Sequence, residues 1–216
     1  MNKNVSKIGK NATLAILSQI PVVSAFSKFC EDFVQDNWQE RIDLWKEDVV
    51  KRLSQLDTET EQKIRETSNF SSLLASAQRG ALEDIEEDKV ALYVNAVVNS
   101  IKKEDIDDTK KHIFLNMLRD FTLLHIEALK FFSQPHQQAA SFQHQVTLSQ
   151  RTMYDIIVEM EPKLDGGEAI LDAVLQDLKT KSMLLIDRVD NIHMSFGINK
   201  LTTDLGDEFI DFISEL

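Results

Sequence analysis

Between Asp165 and Ile213 the apolar pattern changes its period several times, which restricts this stretch to a few compact arrangements. Leu171, Val174, Leu175 and Leu178 recur every three or four residues, the spacing of one helix face. Met183-Leu184-Leu185-Ile186 is instead an unbroken apolar run, short enough for a strand, and a polar reversal follows it. Leu201-Thr202-Thr203-Asp204-Leu205-Gly206 then opens a final apolar segment ending in Phe209, Ile210, Phe212 and Ile213. Asp165-Gly166-Gly167 supplies a turn ahead of all this. The order predicts a helix over 168–179, β-like segments around 183–187 and 193–201, and a closing helix.

Together with a helix suggested by Val146, Met153, Ile156, Ile157 and Met160, this order resembles a winged-helix module. Such a module has a compact helical core, a helix presented to the partner and a hairpin beside it. In DNA-binding members the presented helix offers Arg, Lys, Asn or Gln to base edges, with basic groups placed on phosphate. Here the equivalent helix carries Glu168, Asp172, Gln176, Asp177 and Lys179, while Asp187 and Asp190 offset Arg188 and Lys200 in the wing. The whole chain has 24 basic and 36 acidic residues, a formal charge of −12; from residue 141 onward the count is six against fourteen. A field of that sign repels phosphate, so the module is directed towards protein rather than DNA.

The rest of the 216 residues reads as helical. Trp38, Ile42, Trp45, Val49 and Leu53 form an apolar stripe with mixed charges around it. Leu73, Leu74, Ala77, Ala81, Ile85, Val90, Tyr93, Val94 and Val97 suggest one or two helices, in which Gly80 permits close helix approach. A further long helix is expected to align Ile113, Met117, Phe121, Leu124, Ala128 and Phe131 before Pro135. Near the start, Lys3, Lys7 and Lys10 precede an apolar arm from Ala12 to Phe26, bent at Pro21. Ser18 and Gln19 interrupt the arm, which is too short to cross a bilayer. Its Leu14, Leu17, Ile20, Val22 and Phe26 are read as core or as an interaction surface, with peripheral membrane contact as the alternative. Cys30 is the single cysteine, which excludes an intramolecular disulfide and fits a reducing compartment.

Arg119 and His125 are the residues with the best case for catalysis. Their R-x₅-H spacing resembles that of HEPN nucleases, helical proteins whose dimers bring Arg and His together to cleave RNA. The resemblance implies transition-state stabilisation by Arg119 and proton transfer by His125, with a neighbour such as Asp120 orienting the pair. On one continuous helix the two positions are about 600° of turn apart, off a common stripe. His112, His125, His136 and His144 lack the spacing of a metal motif, and no cofactor is expected. The carboxylates Glu83, Asp84, Glu86, Glu87 and Asp88 read as a solvated helical face.

Several segments together resemble an uncharacterised family of helical bacterial and phage-associated proteins. They are Leu17-Ser18-Gln19-Ile20-Pro21-Val22-Val23, Arg41-Ile42-Asp43-Leu44-Trp45, and the stretch from Ala81 through Lys89 to Val94-Asn95-Ala96-Val97-Val98-Asn99-Ser100. Leu201 to Ile210 resembles the family's terminal module. The resemblance implies a recurring helical architecture with a winged-helix-like end, and it transfers no substrate or catalytic residue.

The resulting expectation is a mainly α protein, in which a multi-helical N-terminal region precedes an acidic winged-helix-like module with a small β-hairpin. Residues 1–11 are a polar leader, 12–135 a helical domain including the apolar arm, and 136–216 the winged-helix-like domain. The expected function is a non-enzymatic, cytoplasmic protein-interaction or assembly module that works through a protein partner or as a homo-oligomer. The alternatives are a metal-independent ribonuclease using Arg119 and His125, a membrane-associated helical protein, and a nucleic-acid-binding regulator.

Overall fold

A computed structural model of the chain describes residues 36–53, 69–84, 86–103, 106–134, 152–191 and 199–215. Their order is α1 (Asp36–Leu53), α2 (Phe70–Glu83), α3 (Glu87–Lys102), α4 (Asp108–Asp120), α5 (Leu123–Phe132), α6 (Met153–Met160), α7 (Glu168–Thr180) and α8 (Asp204–Ile213). Short 3-10 turns occupy Pro162–Leu164 and Val189–Asn191. The protein is mainly helical, as expected from its sequence. Among the described residues no helix is long and apolar enough to cross a membrane. The polar leader, the apolar arm with Leu14, Leu17, Ile20, Val22 and Phe26, Cys30, and the expected boundary at 135/136 lie outside the described residues. Compact packing divides the chain between Arg119 and Asp120, with Phe212 onward grouped with the N-terminal unit.

In the N-terminal unit α1, α2 and α3 pack on one another. Ile42, Trp45, Val49 and Leu53 of α1 are buried at the predicted three- and four-residue intervals. They share the core with Phe70, Leu73, Ala77 and Ala81 of α2 and Tyr93, Ala96 and Val97 of α3. Gly80 permits the α2–α3 contact: a Cβ there would lie 2.7 Å from the Tyr93 hydroxyl oxygen and closer still to its ring. The sequence pattern over this region is compatible with one helix or two. The chain forms two, because α2 ends at Glu83 and α3 restarts at Glu87.

In the C-terminal unit α5 packs against α7. Leu171, Val174, Leu175 and Leu178 are all buried, as their spacing predicts, alongside Ile126, Leu129, Ile156, Ile157 and Leu164. Gly167, at φ 93, occupies the N-cap of α7 in a backbone region that disfavours a side chain. Of the expected strands, the described residues show one antiparallel bridge, Leu184 to Thr202. Leu185 N donates to Leu201 O at 2.9 Å and Thr203 N to Met183 O at 3.0 Å, while Leu201 N donates to Phe132 O at 2.8 Å. Ser182, at φ 60, turns the chain sharply out of α7, and Met183 N still bonds back to Leu178 O. Pairing at the near end therefore starts only at Met183. Residues 192–198, where the second β-like segment mostly falls, lie outside the described residues.

The expected long helix over 113–131 is corrected. It is two helices, α4 and α5, separated at Phe121 and Thr122. Thr122 takes the N-cap position of α5, so the helical phase restarts there. Within α4 the buried face is formed by Phe114, Leu115 and Leu118, which leaves Ile113 44% exposed.

Gly80→Ala tests the close approach. In an exposed helix this change stabilises by about 1 kcal/mol through propensity. Here the Tyr93 ring is fully buried and held by its hydroxyl. Overpacking should dominate, giving a net loss of about 1–3 kcal/mol in denaturant unfolding.

Candidate functional site

The N-terminal unit holds a buried polar cluster at the corner between α2 and α3. Lys89, 4% exposed, lies in the first turn of α3, one turn before Tyr93 on the same face. Asp84 immediately follows α2, and its Oδ2 lies 2.8 Å from Lys89 Nζ and accepts from the Tyr93 hydroxyl at 3.3 Å. Lys89 Nζ also donates to the Arg119 carbonyl at 3.2 Å, and the Arg41 guanidinium donates to the Asp84 carbonyl. Burial, followed by the adjacent Asp84 carboxylate, holds the Tyr93 hydroxyl far above its ordinary pKa of 10.0. Tyr93 therefore serves as a neutral donor.

The sequence pattern puts Asp84 on a solvated acidic face and gives Lys89 no distinct role. The overlooked signal is its spacing, because Lys89, Tyr93, Ala96 and Val97 follow one helix face. A cation on a buried stripe requires a partner.

In the C-terminal unit His125 occupies the N3 position of α5. The Thr122 backbone N–H donates to His125 Nδ1 at 3.2 Å, and the Thr122 hydroxyl lies 2.7 Å from the same nitrogen. Asp155 accepts the Thr152 backbone N–H in the same way at 2.7 Å, starting α6. With Nδ1 accepting, the neutral imidazole carries its proton on Nε2, which faces Asp177 Oδ2 at 3.5 Å. Phe121 stacks on the ring at 5.3 Å and 12°. Phe209 meets Phe121 edge-on at 5.6 Å, and Lys181 Nζ lies 5.7 Å from the Phe121 centroid.

The two catalytic candidates thus lie on successive helices. Arg119 is exposed in the last turn of α4, His125 is half-buried in the first turn of α5, and they belong to different compact units. Asp120, considered as the orienting neighbour, pairs with Lys181 at 3.6 Å; Asp177 faces the imidazole instead. Of the four histidines considered for a metal site, His136 and His144 lie outside the described residues. Among the described residues no group of three His, Cys, Asp or Glu side chains is arranged to hold a metal.

Several charges of the expected partner-facing surface are engaged within the C-terminal unit. Asp172 accepts the Val189 N–H at 2.8 Å and pairs with Arg188 at 3.4 Å. Lys179 pairs with Asp187 at 3.0 Å, and Lys200 with Asp207. Ile170 of α7 is 55% exposed and Leu185 59%. Comparison of the chain with protein-family models, curated proteins and solved structures gives no match.

Two outcomes check these assignments. His125→Ala should destabilise by about 1 kcal/mol and loosen the start of α5 in amide exchange, whereas His125→Gln, which can still accept at N3, should keep most of the wild-type stability. An alanine variant as stable as wild type would exclude the capping role. For Tyr93, the folded state keeps a proton that the unfolded chain loses as pH rises through 10.0. Its contribution is complete below that pH and declines above it. Denaturant unfolding should therefore show wild type losing stability faster than Tyr93→Phe in that alkaline range.

Proposed function

We propose that the protein is a non-enzymatic interaction or assembly module whose acidic, winged-helix-like C-terminal unit contacts protein. The winged-helix reading is supported by the order α6, α7, antiparallel bridge and α8. The observation that carries the functional reading is the outer surface of α7. It presents Ile170 to solvent, while Asp172 and Asp177 face Arg188 and His125. A helix that read DNA would instead present unengaged cationic and amide groups to a polyanion.

Leu185 adds a second exposed apolar side chain to this unit, and Leu44 of α1, 61% exposed, provides one on the other. Burying a side chain of this size against a partner contributes about 1.5–3 kcal/mol. Two or three such contacts are enough to shape a weak interface. The chain's acidity favours a partner with basic groups at the rim. The single Cys30 accords with a cytoplasmic setting, and the bacterial and phage-associated resemblance belongs to the same proposal.

Sedimentation velocity on the full chain should show concentration-dependent association that Ile170→Lys reduces, or an unbiased pull-down should recover a partner that the variant loses. A wild type that is strictly monomeric and recovers no partner would overturn the reading. Salt-sensitive binding to duplex DNA or RNA at low ionic strength would favour the nucleic-acid alternative instead.

A further inference from the structure

Residues Phe212 to Glu215 reach the N-terminal unit from far along the sequence, and side chains of α1 and α3 hold them there. Asn99 Nδ2 donates to the carbonyls of both Phe212, at 2.8 Å, and Ser214, at 2.9 Å. Asn95 Nδ2 donates to the Ile213 carbonyl at 2.9 Å. Arg52 Nη1 fixes Asn95 by donating to its Oδ1 at 2.7 Å and pairs with Glu215 at 3.2 Å. Phe212 and Ile213 are fully buried, and the Phe212 ring lies 5.5 Å from that of Phe114. The last carbonyls of a helix have no partner within it. Here three consecutive carbonyls at the end of α8 receive side-chain amides from another helix.

Asn95 and Asn99 are 7% and 1% exposed, four residues apart on one face of α3. A buried amide is costly unless its donors are paired. Filled by the segment, these amides are satisfied. All four residues from Phe212 to Glu215 lie more than a hundred positions from the side chains that hold them. The same contacts can consequently form between two copies without any new surface.

We propose that Arg52, Asn95 and Asn99 form a receptor for the carbonyl end of a helix, filled within the chain by Phe212–Glu215 and open to the same segment of a second copy. The proposal deepens the assembly reading and rests on it.

The test uses the full chain and a labelled synthetic peptide spanning Glu208–Leu216, followed by fluorescence anisotropy. The chain's own segment competes with the peptide, so Phe212→Ala in the chain, which loosens that segment, should strengthen peptide binding about tenfold over wild type. Asn99→Ala added to it, which removes two hydrogen bonds from the peptide, should weaken binding about tenfold. Should Asn99→Ala fail to fold, Arg52→Ala at the half-exposed rim should weaken binding several-fold. In wild type, the amides of residues 212–215 should exchange faster than those at the centre of α3. Absence of peptide binding to the Phe212→Ala chain, equal binding when Asn99→Ala or Arg52→Ala is added to it, or exchange of the segment only through global unfolding would each overturn the receptor. Self-association that persists in the absence of peptide binding would leave the assembly reading standing without it. Peptide binding to a strictly monomeric protein that recovers no partner would support the receptor within the chain and remove the assembly reading.

Discussion

An ammonium group buried at the start of a helix must find a carboxylate, and the N-terminal unit is arranged around how Lys89 meets Asp84. The pair spans the break between α2 and α3, so forming it fixes where one helix stops and the next begins. Tyr93, one turn further on, completes the Asp84 coordination and lays its ring against Gly80. Arg41 ties α1 to the same aspartate through its backbone carbonyl, and Lys89 reaches the Arg119 carbonyl at the end of α4. Losing one partner of such a pair leaves a desolvated charge, a penalty of about 3–5 kcal/mol.

The C-terminal unit solves a related problem at its helix ends. The start of α5 leaves backbone donors unsatisfied, and His125 turns its Nδ1 to one of them while Asp177 faces its other nitrogen. Phe121 covers the imidazole and in turn contacts Phe209. The histidine with the best sequence case for proton transfer thus has a defined structural task in capping α5. Asp172 and Lys179 on α7 are likewise engaged close to home, which leaves Ile170 as a prominent outward feature of that helix.

Periodicity made much of the helical fold legible. The stripes of α1 and α7 are buried as their spacing predicts, because an amphipathic helix has one low-energy orientation against a core. Gly80 was recognisable as a point of close approach, although not what approached it. The division between α4 and α5 was not legible from the same rule. Apolar residues from Ile113 to Phe131 satisfy a continuous helical period, and that pattern masks the Thr122 cap three residues before His125. The polar cluster was equally hidden. Five acidic residues between Glu83 and Asp88 look interchangeable in a string, and only packing selects Asp84 as the one facing Lys89.

By itself the sequence determined the helical class, the buried faces of the longer helices, and an acidity that opposes contact with nucleic-acid phosphate. Those properties depend on composition and on spacings of a few residues, which local geometry converts directly into faces. Tertiary structure alone decided which polar groups meet: Asp84 with Lys89, His125 with Thr122 and Asp177, and Asn95 and Asn99 with the carbonyls of Phe212, Ile213 and Ser214. Several of these partners are tens to more than a hundred residues apart. No sequence period encodes such pairs, because burial and the need to satisfy every desolvated donor and acceptor choose them only once the helices have packed.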